Sequence, residues 1–253
     1  VASLLRGFSA PVKLSMNYQR ADLLRIMQSD SDGFCRWDSS QQLGLAEIRN
    51  ALAAQAAGEA AEVAQDYLDA CQQLLEDKQL DPAMVALMLQ LPSEAYLAEL
   101  ISPVDVHAIH QAREALRKGI ATALVEPLQA AYRRCASDDA YRPSAEQIAR
   151  RSLKNAALSY LMYTSHGPEM AREQFETSRN MTDRSAALNA IVNSDIPFKS
   201  EALQRFYQDW QHEPLVINQW FQVQAMCRLP GTLERVVELM SHPAYDAANP
   251  NKV

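Results

Sequence analysis

The stretch LQRFYQDW, residues 203–210, decides the fold class because its apolar side chains recur at a helical period. Four of them stand at positions i, i+3, i+4 and i+7: Leu203, Phe206, Tyr207 and Trp210. This spacing places them on one face of an α-helix, whereas a half-buried strand would alternate at every second residue. A second stretch near the end of the chain has the same spacing: Leu233, Val236, Val237 and Met240. Both stretches predict amphipathic helices.

The rest of the chain also favours helices. Only 7 of the 253 residues are glycine, too few to supply the many tight turns of an all-β fold. Helix-start signals appear at Asp81-Pro82, at Ser93 and at Ser144, where Gln147 completes a capping box. These signals predict about twelve helices joined by short links: 19–29, 34–56, 59–76, 82–90, 93–101, 105–135 with a disturbance at Gly119 or Pro127, 145–164, 168–178, 183–194, 199–211, 214–227 and 231–241.

Many helices with short connections indicate an all-α fold built as a superhelical array of antiparallel helix pairs. No repeat of fixed period is visible, so a compact irregular bundle is the alternative architecture. The start of the chain differs, since residues 8–16, FSAPVKLSM, alternate apolar and polar side chains as a short strand does. We therefore predict that residues 1–18 are a strand and linker from a preceding β-sandwich domain, and that residues 19–253 form a helical domain.

Charge and hydropathy exclude two classes of partner. The formal net charge is −7, whereas nucleic-acid-binding domains usually carry a basic patch or stripe. The longest apolar runs, such as residues 156–163, fall far below the ~20 residues of a membrane-spanning helix. The sequence therefore predicts neither a nucleic-acid partner nor a membrane partner.

The four cysteines are widely separated, and no two of them form a CxxC pair: Cys35, Cys71, Cys135 and Cys227. A chain of this length can bury a substantial core without disulfides, which small secreted domains need far more. We interpret the four as reduced thiols of a cytoplasmic protein.

Two histidine-containing stretches could be interpreted as metal-binding or catalytic sites. His212-Glu213 resembles the start of the HExxH zinc helix, but the second histidine would fall at Val216, and Pro214 intervenes. His107 and His110 share a helix face without an identifiable third ligand. The sequence therefore predicts no catalytic residue, no metal ligand and no cofactor in this segment, and an independent enzyme using the two neighbouring histidines is a minor alternative.

Several separated stretches resemble the C-terminal part of bacterial aminopeptidase N, a zinc metallo-aminopeptidase family of the HExxH-plus-Glu class. They are SLLRGFSAPVKL (3–14), RWDSSQQL (36–43), HQAREAL (110–116), RRSLKNAALSYL (150–161), NMTDRSAALNAI (180–191), the Trp220-Phe221 region and the terminal NPNKV. In order and spacing they extend over nearly the whole chain.

The resemblance implies a non-catalytic helical domain that encloses the catalytic chamber of a peptidase and limits access to short peptides. Its partner would be the catalytic domain of the same chain, which would carry the zinc and HExxH upstream. The zinc helix and the GxMEN-type motif are absent here, and the family has further helices after NPNKV, so we expect a segment of a longer chain that is incomplete at its C-terminus. A helical-repeat scaffold for protein–protein interaction is the alternative.

The terminal NPNKV supplies the only candidate site residues. A polar loop that connects helices is one interpretation. The resemblance implies another, in which Asn249, Asn251 and Lys252 face the chamber and favour the C-terminal carboxylate of a bound peptide.

Overall fold

The computed structural model describes residues 1–12 and 15–249, and their regular secondary structure is entirely helical. The all-α prediction is therefore confirmed for these residues. The helices are α1 Arg20–Ser29, α2 Gly33–Ala57, α3 Gln65–Glu76, α4 Pro82–Met88, α5 Glu94–Leu100, α6 Val106–Ala123, α7 Val125–Cys135, α8 Ala145–Leu161, α9 Gly167–Thr177, α10 Met181–Val192, α11 Lys199–Trp210, α12 Pro214–Ala225 and α13 Thr232–Leu239.

The N-terminal segment contains no strand in its described residues. Arg6–Phe8 instead forms one 3₁₀ turn. A strand needs a neighbouring strand for its backbone hydrogen bonds, and here side chains take that role: the Gly7 N–H donates to Asp32 Oδ2 at 2.8 Å. The Phe8 ring lies 5.1 Å from that of Phe34, so the turn packs against the start of α2.

Capping side chains set the starts of several helices, as the sequence predicts. The side chains of Asp81, Ser93 and Ser144 each accept a backbone N–H in the first turn of α4, α5 and α8. This satisfies one of the donors that a helix N-terminus leaves unpaired.

One helix begins later than the sequence predicts. The sequence favours a helix over 59–76, but α3 begins only at Gln65. Gly58 ends α2 in the left-handed region with φ 72°, and the Ala64 N–H donates to the Glu47 carboxylate at 3.0 Å. This contact, made by a residue 17 positions away, helps to hold residues 59–64 in a non-helical path.

The predicted disturbance in 105–135 is real but lies at Leu124, between α6 and α7. Gly119 lies inside α6. A Cβ at this position would lie 2.4 Å from Val63 Cγ2, so glycine allows the linker before α3 to approach the helix closely. Pro127 is in the first turn of α7, where its missing N–H is tolerated.

The chain divides into two compact units, Val1–Thr164 and Ser165–Val253. In the first unit α2 packs against α1, α4 and α6, and α8 packs against α4, α6 and α7. Contacts between helices that are distant in sequence therefore build this unit, with Met27, Leu43 and Tyr67 among its fully buried side chains.

An ionic network joins the first three helices of this unit. Arg20 of α1 contacts Glu47 of α2 at 2.7 Å and Asp66 of α3 at 2.6 Å. The Glu47 side chain is 1% exposed, so the contact with Arg20 offsets part of the cost of burying a carboxylate. The hydrogen bonds from Arg20 lower the pKa of Asp66.

In the second unit, packing follows the order of the chain: α9 contacts α10, α10 contacts α11, α11 contacts α12 and α12 contacts α13. The stripe predicted on α11 faces inward, with Phe206 fully buried and Tyr207 in ring contact with Trp220 at 5.1 Å. Each of these helices thus covers part of its neighbour's apolar face.

Replacing Gly119 by alanine should lower the free energy of unfolding by about 1–2 kcal/mol, because the clash with Val63 exceeds the gain in helix propensity. In a Val63→Ala background, where the obstructing methyl is gone, Gly119→Ala should be neutral or stabilising. Urea unfolding of the four proteins in the cycle measures this coupling. Equal destabilisation in both backgrounds would show that the two positions are not in contact.

The ionic network predicts that its two acidic residues contribute very differently to the stability of the protein. Glu47→Gln should destabilise the protein by roughly 2 kcal/mol, because it removes the charge from a hydrogen bond made at a buried position. Asp66→Asn, at a half-exposed position, should lose less than about 1 kcal/mol. Denaturant unfolding at neutral pH compares the two, and equal losses would contradict the assignment of Glu47 as the buried anchor.

Candidate functional site

The described residues contain no group of three or more His, Cys, Asp or Glu side chains that could hold a metal ion. Glu213 is the N-cap of α12, and Pro214 is the first residue of that helix. His212 and Glu213 therefore precede the helix and do not lie within it, as a zinc-binding HExxH helix would require. His110 Nδ1 lies 2.9 Å from Glu94 Oε1, which connects α6 to α5. The residues described here therefore do not fit a zinc centre.

His242, which follows the end of α13 and precedes Pro243, is the centre of an aromatic cluster. Its ring lies 5.0 Å from Tyr207, 5.2 Å from Trp220 and 5.5 Å from Phe221. Its Nδ1 accepts the Ala244 N–H at 3.1 Å, which places the proton of the neutral ring on Nε2. Burial, and secondarily the charge of Arg235, lower the pKa of His242.

This cluster holds the segment that leads to the candidate residues. Trp220 and Phe221 face inward, and both are buried. After His242 the chain turns twice: the Tyr245 N–H donates to the His242 carbonyl, and the Asn249 N–H to the Asp246 carbonyl. Asn249 is half-buried at the end of this segment. Asn251 and Lys252 lie outside the described residues.

Helix α13 carries an exposed apolar face. Leu233 is 73% exposed, Val237 60% and Met240 56%, so three of the four residues of the predicted stripe face solvent. Leu239 provides the buried contact instead. Exposed apolar faces of this kind often mark a surface that another element covers.

The second unit also contains a cavity of about 520 Å³, between residues of α10, α11, α12 and α13. Lys199 and Arg235 contribute positive charge to its wall, and Tyr207 and Trp220 contribute aromatic surface. Sequence reasoning missed the cavity because Lys199 and Arg235 are far apart in the chain and belong to no motif. Their proximity is a product of helix packing.

Within the described residues, no helix combines the length and apolar character needed to cross a lipid bilayer.

Comparison with known proteins finds that the chain is similar to part of several aminopeptidases. It is 37% identical to aminopeptidase N of Caulobacter vibrioides over 256 residues and 35% identical to aminopeptidase N of Escherichia coli over 255 residues. In each case the match covers 100% of this chain and 29% of the relative, so the chain spans less than a third of these proteins. The resemblance to bacterial aminopeptidase N is confirmed.

A solved structure, Legionella pneumophila aminopeptidase A in complex with aspartic acid, matches with a TM-score of 0.86 at 31% identity. The match covers 99% of this chain and 30% of that one. A family profile described as "Domain of unknown function (DUF3458_C) ARM repeats" matches residues 20–253. The chain therefore belongs to the DUF3458_C family of ARM-repeat domains.

Proposed function

We propose that this chain is the non-catalytic C-terminal helical domain of a zinc aminopeptidase that hydrolyses N-terminal residues from short peptides. The observation that carries the proposal is the whole-chain similarity to aminopeptidases of which it represents 29%. In such a division of labour, zinc and its ligands belong to the preceding part of the protein, where the metal supplies an activated water for peptide hydrolysis.

The role of the helical domain is enclosure. Helices that bury their apolar stripes against neighbours give a stiff wall, and such a wall bars folded proteins, admits short peptides and keeps bulk water from the reacting groups. In this proposal residues 19–253 form a superhelical array of antiparallel pairs, and residues 1–18 are the strand and linker segment that follows a preceding β-sandwich domain. The partners are the catalytic domain of the same chain and short peptides, in the cytoplasm.

Asn249, Asn251 and Lys252 are the residues that we propose to face the chamber. Charge attraction is stronger in an enclosed space than in water, so an ammonium at Lys252 favours the C-terminal carboxylate of a peptide whose N-terminus is held at the zinc. The anchoring of the preceding segment through His242 supports this assignment, because it gives Asn249 a defined position.

Enclosure can be tested by thiol access at Asn249. In a Cys227→Ser background, Asn249→Cys in the full-length aminopeptidase should react with a small methanethiosulfonate but not with a large poly(ethylene glycol)-maleimide. The same variant of the 253-residue chain alone should react with both, because no catalytic domain covers it. Mass spectrometry measures the labelled fraction. Full labelling by the large reagent in the full-length protein would contradict a chamber-facing position.

The charge at Lys252 has its own test in the full-length enzyme. Lys252→Ala should raise KM for short free-acid peptides more than it lowers kcat, as the loss of uniform binding does. Peptides with amidated C-termini should be unaffected, and Lys78→Ala, an exposed lysine of the first unit, is the matched control. Equal effects on free-acid and amidated peptides, or none on either, would return NPNKV to the role of a connecting loop.

A further inference from the structure

The charged side chains that line the cavity in the second unit are basic. Lys199 and Arg235 line it, and no aspartate or glutamate is among its described lining residues. This contrasts with the chain as a whole, whose formal net charge is −7. Glu238 pairs with Arg235 at 2.9 Å, so the positive charge that an anion would meet at this cavity comes mainly from Lys199.

Lys199 lacks an acidic partner in the part of the chain that the structure describes. Its side-chain nitrogen lies 3.7 Å from Cys227 Sγ, a weak acceptor, and that thiol already donates to the Val192 carbonyl at 3.2 Å. The side chain is only partly exposed. With three N–H donors and one thiol contact among the described residues, the Lys199 ammonium has hydrogen bonds left to give to an anion.

Arg235 is held in position before any ligand arrives. Its Nε and Nη2 donate to Gln224 Oε1 at 3.0 and 2.7 Å. Gln224 is 2% exposed, and its own Nε2 donates to the Trp220 carbonyl at 2.9 Å, so its oxygen has a fixed direction. Arg235 Nη1 donates to Glu238 at 2.9 Å. The guanidinium is therefore held in a fixed position, and some of its five N–H groups are still free to donate to a ligand.

The other residues of the cavity wall are suited to contact the apolar part of a ligand. Tyr207 and Trp220 line the cavity with Leu203 and Val192, and Trp220 is fixed by its Nε1–H, which donates to the Leu203 carbonyl at 2.9 Å. The cavity volume of about 520 Å³ lies within the range of small-molecule sites, roughly 300–1,000 Å³, which combine apolar walls with a few placed polar groups.

We propose that this cavity is a binding site for a small organic anion, with its carboxylate or phosphate at Lys199 and Arg235 and its apolar or aromatic body against Tyr207 and Trp220. The site does not depend on the proposed peptidase role, and its presence or absence leaves the enclosure tests unchanged. Carboxylate and phosphate are two sources of the same negative charge, and the experiment separates them.

Isothermal titration of the 253-residue chain with phenylacetate and with phenyl phosphate tests the site. Saturable binding of at least one of them at a single site is expected, and the tighter one identifies the acid group. Phenylacetamide, which has the same shape without the charge, should bind at least tenfold more weakly. Raising the ionic strength should weaken binding of the anion but not of the amide, since salt screens charge attraction.

Lys199→Met removes the ammonium but keeps an apolar stem, and it should weaken anion binding roughly tenfold or more, the usual consequence of losing a charge-assisted hydrogen bond. Lys78→Met, in the first unit, should bind as the unchanged chain does. The site is refuted if neither anion binds saturably, if the amide binds as tightly as the anions, or if Lys199→Met leaves their affinity unaltered. The salt dependence of the unchanged chain decides the matter should Lys199→Met fail to fold.

Discussion

An amphipathic helix can bury only the face that another element covers, and this constraint governs the whole structure. In the second unit the constraint is met in chain order, because each helix from α9 to α12 contacts the next one. The last of them leaves Leu233, Val237 and Met240 exposed. A stack of this kind is stable where neighbours supply the missing cover, which is the general behaviour of repeat arrays.

In the first unit, helices that are distant in the chain cover one another's apolar faces. Specific contacts fix the positions of these helices relative to one another. Arg20 connects Glu47 and Asp66, so α1, α2 and α3 share one ionic network. Gly119 allows the linker at Val63 to approach α6 closely. The buried carboxylate and the missing Cβ therefore act on one feature, the path of residues 59–64 between α2 and α3.

The sequence predicted what depends on local chemistry. Most helices were located to within a few residues, because periodicity and the caps at Asp81, Ser93 and Ser144 are readable locally. The miss at residues 59–64 depends on a distant partner, since the Ala64 N–H donates to Glu47. The described part of residues 8–16 shows no strand. The cavity and the role of His242 arise where four helices and a turn meet, which no spacing in the chain reveals.

The central claim is a division of labour, in which this chain supplies enclosure and another part of the protein supplies zinc and catalysis. The most direct measurement is the metal content and peptidase activity of the purified 253-residue chain, with the full-length aminopeptidase assayed beside it. We predict no bound zinc and no release of amino acids from peptides by the chain alone, while the full-length enzyme shows both. Stoichiometric zinc in the isolated chain, with chelator-sensitive hydrolysis, would contradict it.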